Sequence, residues 1–122
     1  PYPFRALVDA GANLLFGSDA PVAQLDPWAA MASAIYRTRD GRSPWQVEQA
    51  VDAGVALAAS THGGSTAPSR IELGAVADLV LCGEDPLVAS ETELRAMDVR
   101  ATLLGGLGGL DVACHVRNLP CR

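Results

Sequence analysis

Lysine is missing from this 122-residue chain: all nine basic residues are arginines. That absence excludes, within the chain, a Schiff-base amine and a carbamylated-lysine metal ligand. Cationic charge is also scattered. Only Arg37, Arg39 and Arg42 cluster, with Asp40 among them, and the formal net charge is −5. This is a poor footprint for nucleic acid or an anionic membrane surface, and neither partner is expected. Cysteine is limited to Cys82, Cys114 and Cys121, an odd number without C-x-x-C spacing. A disulfide framework is not expected, and the usage fits a reducing, cytoplasmic setting. Histidine is limited to His62 and His115. Cys114-His115 with Cys121 reads either as a metal cluster short of a fourth ligand or as small apolar side chains beside a surface histidine. Long apolar runs are missing too. The longest, Ala101 to Leu110, holds four glycines between Arg100 and Asp111, well short of the ~20 residues of a membrane helix. The opening Pro1-Tyr2-Pro3 leads into no basic stretch followed by an apolar one, so no signal peptide is expected.

What is present is globular in kind: 49% hydrophobic and 19% charged residues, in a length that suits one small domain or a piece of a larger one. The most informative stretch is Leu14-Leu15-Phe16-Gly17-Ser18-Asp19-Ala20-Pro21. A short apolar run ends at a glycine and a carboxylate follows. Strand ends of α/β folds collect catalytic side chains, because the loops there face the open end of the sheet or barrel. Asp19 is therefore the first candidate for chemistry, set against a loop carboxylate that merely caps a turn. Ser18 lacks a G-x-S-x-G setting and reads as a turn residue rather than a nucleophile.

The pattern around it predicts a helix over Pro3–Ala10, closed by Gly11, and a strand over Asn13–Phe16. Asp26-Pro27 marks the cap and first residue of a helix running to about Arg37, with Trp28, Met31 and Ile35 on one stripe. Arg37 and Arg39 suit the negative end of its dipole, and Asp40-Gly41 makes a turn. Ser43-Pro44-Trp45-Gln46 reads as a capping box opening a second helix to about Ser60, with Val47, Val51 and Val55 on its apolar stripe. Gly54 inside it suggests close packing against a neighbour, and Trp28 and Trp45 read as packing residues. His62-Gly63-Gly64-Ser65 is a loop, with His62 solvated. Beyond Ile71 the period changes. Leu73-Gly74 is a turn, Ala77–Leu81 a strand, Glu84-Asp85-Pro86 a break, Glu91–Met97 a helical turn or two, and Val99–Leu104 a strand before Gly105-Gly106. Asp78 serves the strand or its turn. Leu107 to Arg122 shows little period.

Phe16-Gly17-Ser18-Asp19-Ala20-Pro21 resembles the end of the eighth barrel strand in the amidohydrolase superfamily, most closely the amidohydrolase family 3 group. Leu25-Asp26-Pro27-Trp28, Ala56 to Thr61, Gly74 to Leu81, Glu84 to Leu87 and Val99 to Gly106 continue the likeness in order and spacing. The resemblance implies an α/β fold that is incomplete as given. Residues 1–64 would be the last βα units of a metal-dependent hydrolase TIM-like barrel, 65–106 strands of the small flanking β-sandwich domain, and 107–122 an irregular tail. It implies a hydrolase of carbon–nitrogen, non-peptide bonds acting on a small molecule, with a divalent metal, usually zinc, in the complete enzyme. Asp19 would be metal ligand and proton shuttle; a homo-oligomer is compatible with this. The family's H-x-H pair, bridging carboxylate or carbamylated lysine, and histidines of the fifth and sixth strands have no counterparts here. The alternative is a non-catalytic α/β fragment, or a split-chain module whose partner supplies the other metal ligands.

Overall fold

The computed structural model describes residues 2–39, 42–61 and 70–105. Helix α1 (Phe4–Asp9) opens the described chain. Pro3 stands just outside it, in the cap position rather than the first turn. Gly11 takes φ +84°, and the N–H groups of Gly11 and Ala12 return to the carbonyls of Val8 and Leu7. This double closure uses two carbonyls of the last turn and needs the left-handed backbone that glycine adopts at no steric cost.

The strand expected over Asn13–Phe16 is not formed. Leu14 and Phe16 are half-buried while Leu15 is exposed, so the alternation of a strand is present. A strand, however, also needs a neighbour for its N–H and C=O groups. The N–H of Phe16 donates instead to the carbonyl of Ala59 (3.0 Å), and the two strands among the described residues pair only with each other.

Helix α2 (Pro27–Tyr36) matches its sequence signals. One carboxylate oxygen of Asp26 accepts the N–H groups of Trp28 (3.0 Å) and Ala29 (3.1 Å), and Pro27 has no N–H to satisfy. Met31 is fully buried and Trp28 and Ile35 pack beside it. The helix ends on Arg37 at φ +56°. The guanidinium of Arg37 does more than face the helix dipole: it lies 5.6 Å from the ring centre of Phe4, and its Nε donates to the carbonyl of Trp45 (3.2 Å). Trp45 itself is 58% exposed, so the expectation of a packing residue fails there.

The second helix begins at Ala53, nine residues after the expected first residue, Pro44. Gln46 adopts φ +51°, which no helix interior accommodates. Val47–Gln49 form a single 3₁₀ turn, and α3 runs Ala53–Thr61. Contacts with the other helices override the capping box. Val51 donates its N–H to the carbonyl of Ala34 (3.2 Å), Gln49 accepts the N–H of Ala6 (3.2 Å), and Arg5 donates to the carbonyl of Ala50 (3.1 Å). Of the expected stripe, Val51 is buried, Val55 half-buried and Val47 exposed. Gly54 has open space around it, so close packing does not explain it.

The second part carries β1 (Leu79–Cys82), α4 (Glu91–Arg95) and β2 (Val99–Leu103). Gly74, at φ +89°, follows Leu73 in a turn closed from Ala75 to Glu72. The strands form an antiparallel pair, Leu79 opposite Leu103 and Leu81 opposite Ala101, with an irregularity between Leu81 and Cys82. Asp78 accepts the N–H of Gly105 at 2.7 Å, which fastens the end of β2 beside the start of β1, the structural role expected of it. Helix α4 opens with a complete capping box: Ser90 accepts the N–H of Glu93, whose carboxylate returns to the N–H of Ser90.

One apolar core joins the two parts. Met31, Ala32 and Ala34 of α2, Val51, Ala56 of α3 and Leu94 of α4 form it, with Phe4, Leu14 and Phe16 packed on its side. The Phe4 and Phe16 rings meet at 5.4 Å, which seats the segment leading to Asp19 against α1. The Asp40-Gly41 turn, the His62–Ser65 loop, Gly106 and the 107–122 segment with Cys114, His115 and Cys121 lie outside the described residues. Among the described residues no helix is long and apolar enough to cross a membrane.

Candidate functional site

Among the described residues the segment 14–18 is held by the helical core and by the carbonyl of Ala59. Leu14 and Phe16 reach into the core, and the chain then leaves the helices at Gly17. Asp19 follows at φ +52°, a left-handed position that aspartate tolerates better than most residues. Its backbone carbonyl accepts the N–H of Val22 at 2.9 Å, closing a turn through the Ala20–Pro21 peptide, which is cis. The turn is thus closed by the main chain. Among the described residues no hydrogen bond or ion pair engages the Asp19 carboxylate, and the residue is exposed. The Asp19 side chain does not cap the turn.

Seven residues on, Asp26 is a different kind of carboxylate. It is half-buried, and one of its oxygens is committed to two N–H groups of α2. It anchors the far end of the loop that carries Asp19. Between these anchors lies a concavity of about 300 Å³, lined by Phe16, Gly17 and Ser18, by Leu25, Asp26, Pro27 and Ala30, and by Ser60 from the end of α3. Its lining is mostly apolar. Ser18 is half-buried there, and its hydroxyl closes no turn among the described residues. Ser60, whose hydroxyl donates to the carbonyl of Ala56 (2.9 Å), could not have been foreseen from sequence. It is 42 positions from Ser18, and only the packing of α3 against the 14–18 segment brings the two together.

Among the described residues no three His, Cys, Asp or Glu side chains converge, whereas a catalytic zinc takes three protein ligands and a water. Asp19 alone does not meet that requirement, so the described residues do not fit a metal centre on their own. Cys82, the cysteine among the described residues, is half-buried in β1 with its thiol pushed up by burial, which disfavours the thiolate a metal or a nucleophilic reaction would need.

The N-substituted formamide deformylase of Arthrobacter pascens is 30% identical over 112 residues, covering 87% of this chain and 21% of that protein. The chain therefore spans about a fifth of the length of the curated relative it matches. No solved structure matches it at a significant level. The model of the amidohydrolase family matches residues 2–107, from α1 through the end of the β1–β2 pair. By that match the chain belongs to the amidohydrolase family.

Proposed function

We propose that this chain is the part of a longer amidohydrolase that supplies Asp19 to a site hydrolysing a carbon–nitrogen bond in a small molecule. The observation that carries the reading is the state of Asp19: an exposed carboxylate, engaged by nothing among the described residues, on a turn closed by its own backbone. Family membership and the concavity beside Gly17 and Ser18 support it. In this reading residues 1–64 are the last βα units of a barrel, and the 14–18 segment pairs with strands from outside the chain. Residues 65–106 are then part of a flanking β domain. The setting is the cytoplasm.

Asp19 accepts the proton of the attacking water as the water oxygen bonds to the carbonyl carbon. It returns that proton to the leaving nitrogen as the C–N bond breaks, giving a carboxylic acid and an amine. A divalent metal, zinc by family habit, would take most of its ligands from outside the described residues, with Asp19 as one oxygen ligand. Because the described donors do not form such a centre, no step is assigned to it. The name of the relative points to N-substituted formamides as the first substrates to try.

The test is to express a longer protein containing this chain and to measure amine release from N-substituted formamides and other small amides. The 122-residue chain serves as the comparison. Release by the longer protein and none by the chain alone is expected; a longer protein that hydrolyses no amide would overturn the reading. Activity appearing only when the chain is mixed with a second polypeptide would establish the split-chain alternative.

A further inference from the structure

We propose that β1, α4 and β2 form a unit that opens separately from the helices, docked on α2 through α4 and latched there by Arg95. The strands take little part in the core. Val80 and Leu81 are exposed, whereas Leu94 of α4 is fully buried and Ala89 and Met97 pack beside it. The apolar part of the contact is therefore confined to residues 89–97.

Its polar part gathers at the end of α2. Arg95 Nη2 donates to the carbonyl of Thr38 (2.8 Å) and lies 3.3 Å from its hydroxyl, while Nε donates to Glu91 (2.9 Å). The Thr38 hydroxyl donates to the same Glu91 carboxylate oxygen, and the Tyr36 hydroxyl donates to the carbonyl of Ala89 (2.8 Å). One guanidinium thus binds the main chain at the end of α2 and the carboxylate of its own helix. The partners are 53 to 57 residues apart in sequence. Parts of a protein can open in steps, the contact between them breaking while each side stays folded, and here that contact runs through α4 and its flanking residues. The latch does not depend on what Asp19 does, so it can fail without touching the hydrolase reading, and the reverse.

Amide hydrogen exchange on the 122-residue chain separates the possibilities. In the unaltered chain the amides of β1 and β2 should be less protected than those of α2. Arg95→Met, which keeps the aliphatic stem, should speed strand exchange by roughly tenfold. Val51→Ala, a cavity on the helical side of the shared core that leaves the Arg95 hydrogen bonds in place, should speed exchange in α2 by roughly tenfold and leave the strands unchanged. Equal protection of strands and α2, with both shifting together in Val51→Ala, would overturn the proposal, because the two parts would then open as one. Absence of protection in either part of the unaltered chain would overturn it too, since the latch would not be formed.

Discussion

The backbone carbonyl of Asp19 accepts the N–H of Val22 at 2.9 Å, so the main chain closes the turn and the carboxylate is left over. Aspartates in turns commonly spend their side chain on a nearby N–H. Asp26, at the other end of the same loop, does just that. The two carboxylates differ: that of Asp26 fixes the loop on α2, whereas no hydrogen bond among the described residues engages that of Asp19, the state on which the proposed role rests.

Asp26→Ala should therefore lower stability by about 1 kcal/mol, the usual loss on removing a helix cap. That corresponds to a fall in Tm of about 4 °C for a chain of this length. Asp26→Asn keeps an acceptor oxygen and should lose much less. Thermal unfolding by circular dichroism reads both; an equal loss in the two variants would show that the oxygen on the N–H groups of Trp28 and Ala29 is not what matters.

Leu94 is fully buried although it belongs to a five-residue helix. Leu94→Ala should cost about 2–5 kcal/mol, the range for emptying a close-packed aliphatic site. Val88→Ala, at a position that is 81% exposed, should change stability by less than about 0.5 kcal/mol. Urea unfolding distinguishes them through the shift in midpoint.

Hydrogen bonding from the Thr38 hydroxyl, then from Arg95, holds the Glu91 carboxyl below the ordinary glutamate value of 4.5. A carboxylate whose folded pKa is depressed stabilises the fold fully above its unfolded pKa, and that contribution is lost as pH falls through the folded pKa. The contribution is modest because the side chain is 35% exposed and solvent screens it. Glu91→Gln should accordingly be less stable than the unaltered chain at neutral pH. The gap should narrow as pH drops below about 4.5. Glu93, lowered by the Ser90 hydroxyl and then by the Ser90 N–H, titrates in the same window, so some acid sensitivity should persist in the variant. A gap independent of pH from 7 down to 3, by urea midpoints, would contradict the assignment.

Local chemistry was legible wherever the local chain decides the outcome. Asp26-Pro27 starts α2, Gly11 and Gly74 take positive φ, and β1 and β2 lie within two residues of their expected bounds. It failed where distant contacts outweigh local preference. Ser43-Pro44-Trp45-Gln46 has the letters of a capping box, yet the chain there is drawn onto α1 and α2 by Arg5, Ala6 and Ala34. The working capping box is Ser90 with Glu93, a Ser-x-x-Glu spacing plain in the sequence but not singled out. The Asn13–Phe16 run has the alternation of a strand and no partner strand among the described residues. The turn at Asp19 was legible because a glycine and a proline punctuate its surroundings. The concavity beside it was not, because Ser60 reaches it only through the packing of α3.

The most direct measurement is kcat for amide hydrolysis by a longer protein containing this chain, with Asp19 and with Asp19→Asn. Asparagine keeps the size and removes the ability to take up a proton. Metal content measured on the same two samples shows whether the side chain also serves as a ligand. A fall in kcat of about 10²–10⁴, with the fold intact by circular dichroism, is the expected result; an unchanged kcat in the folded variant would contradict the role given to Asp19.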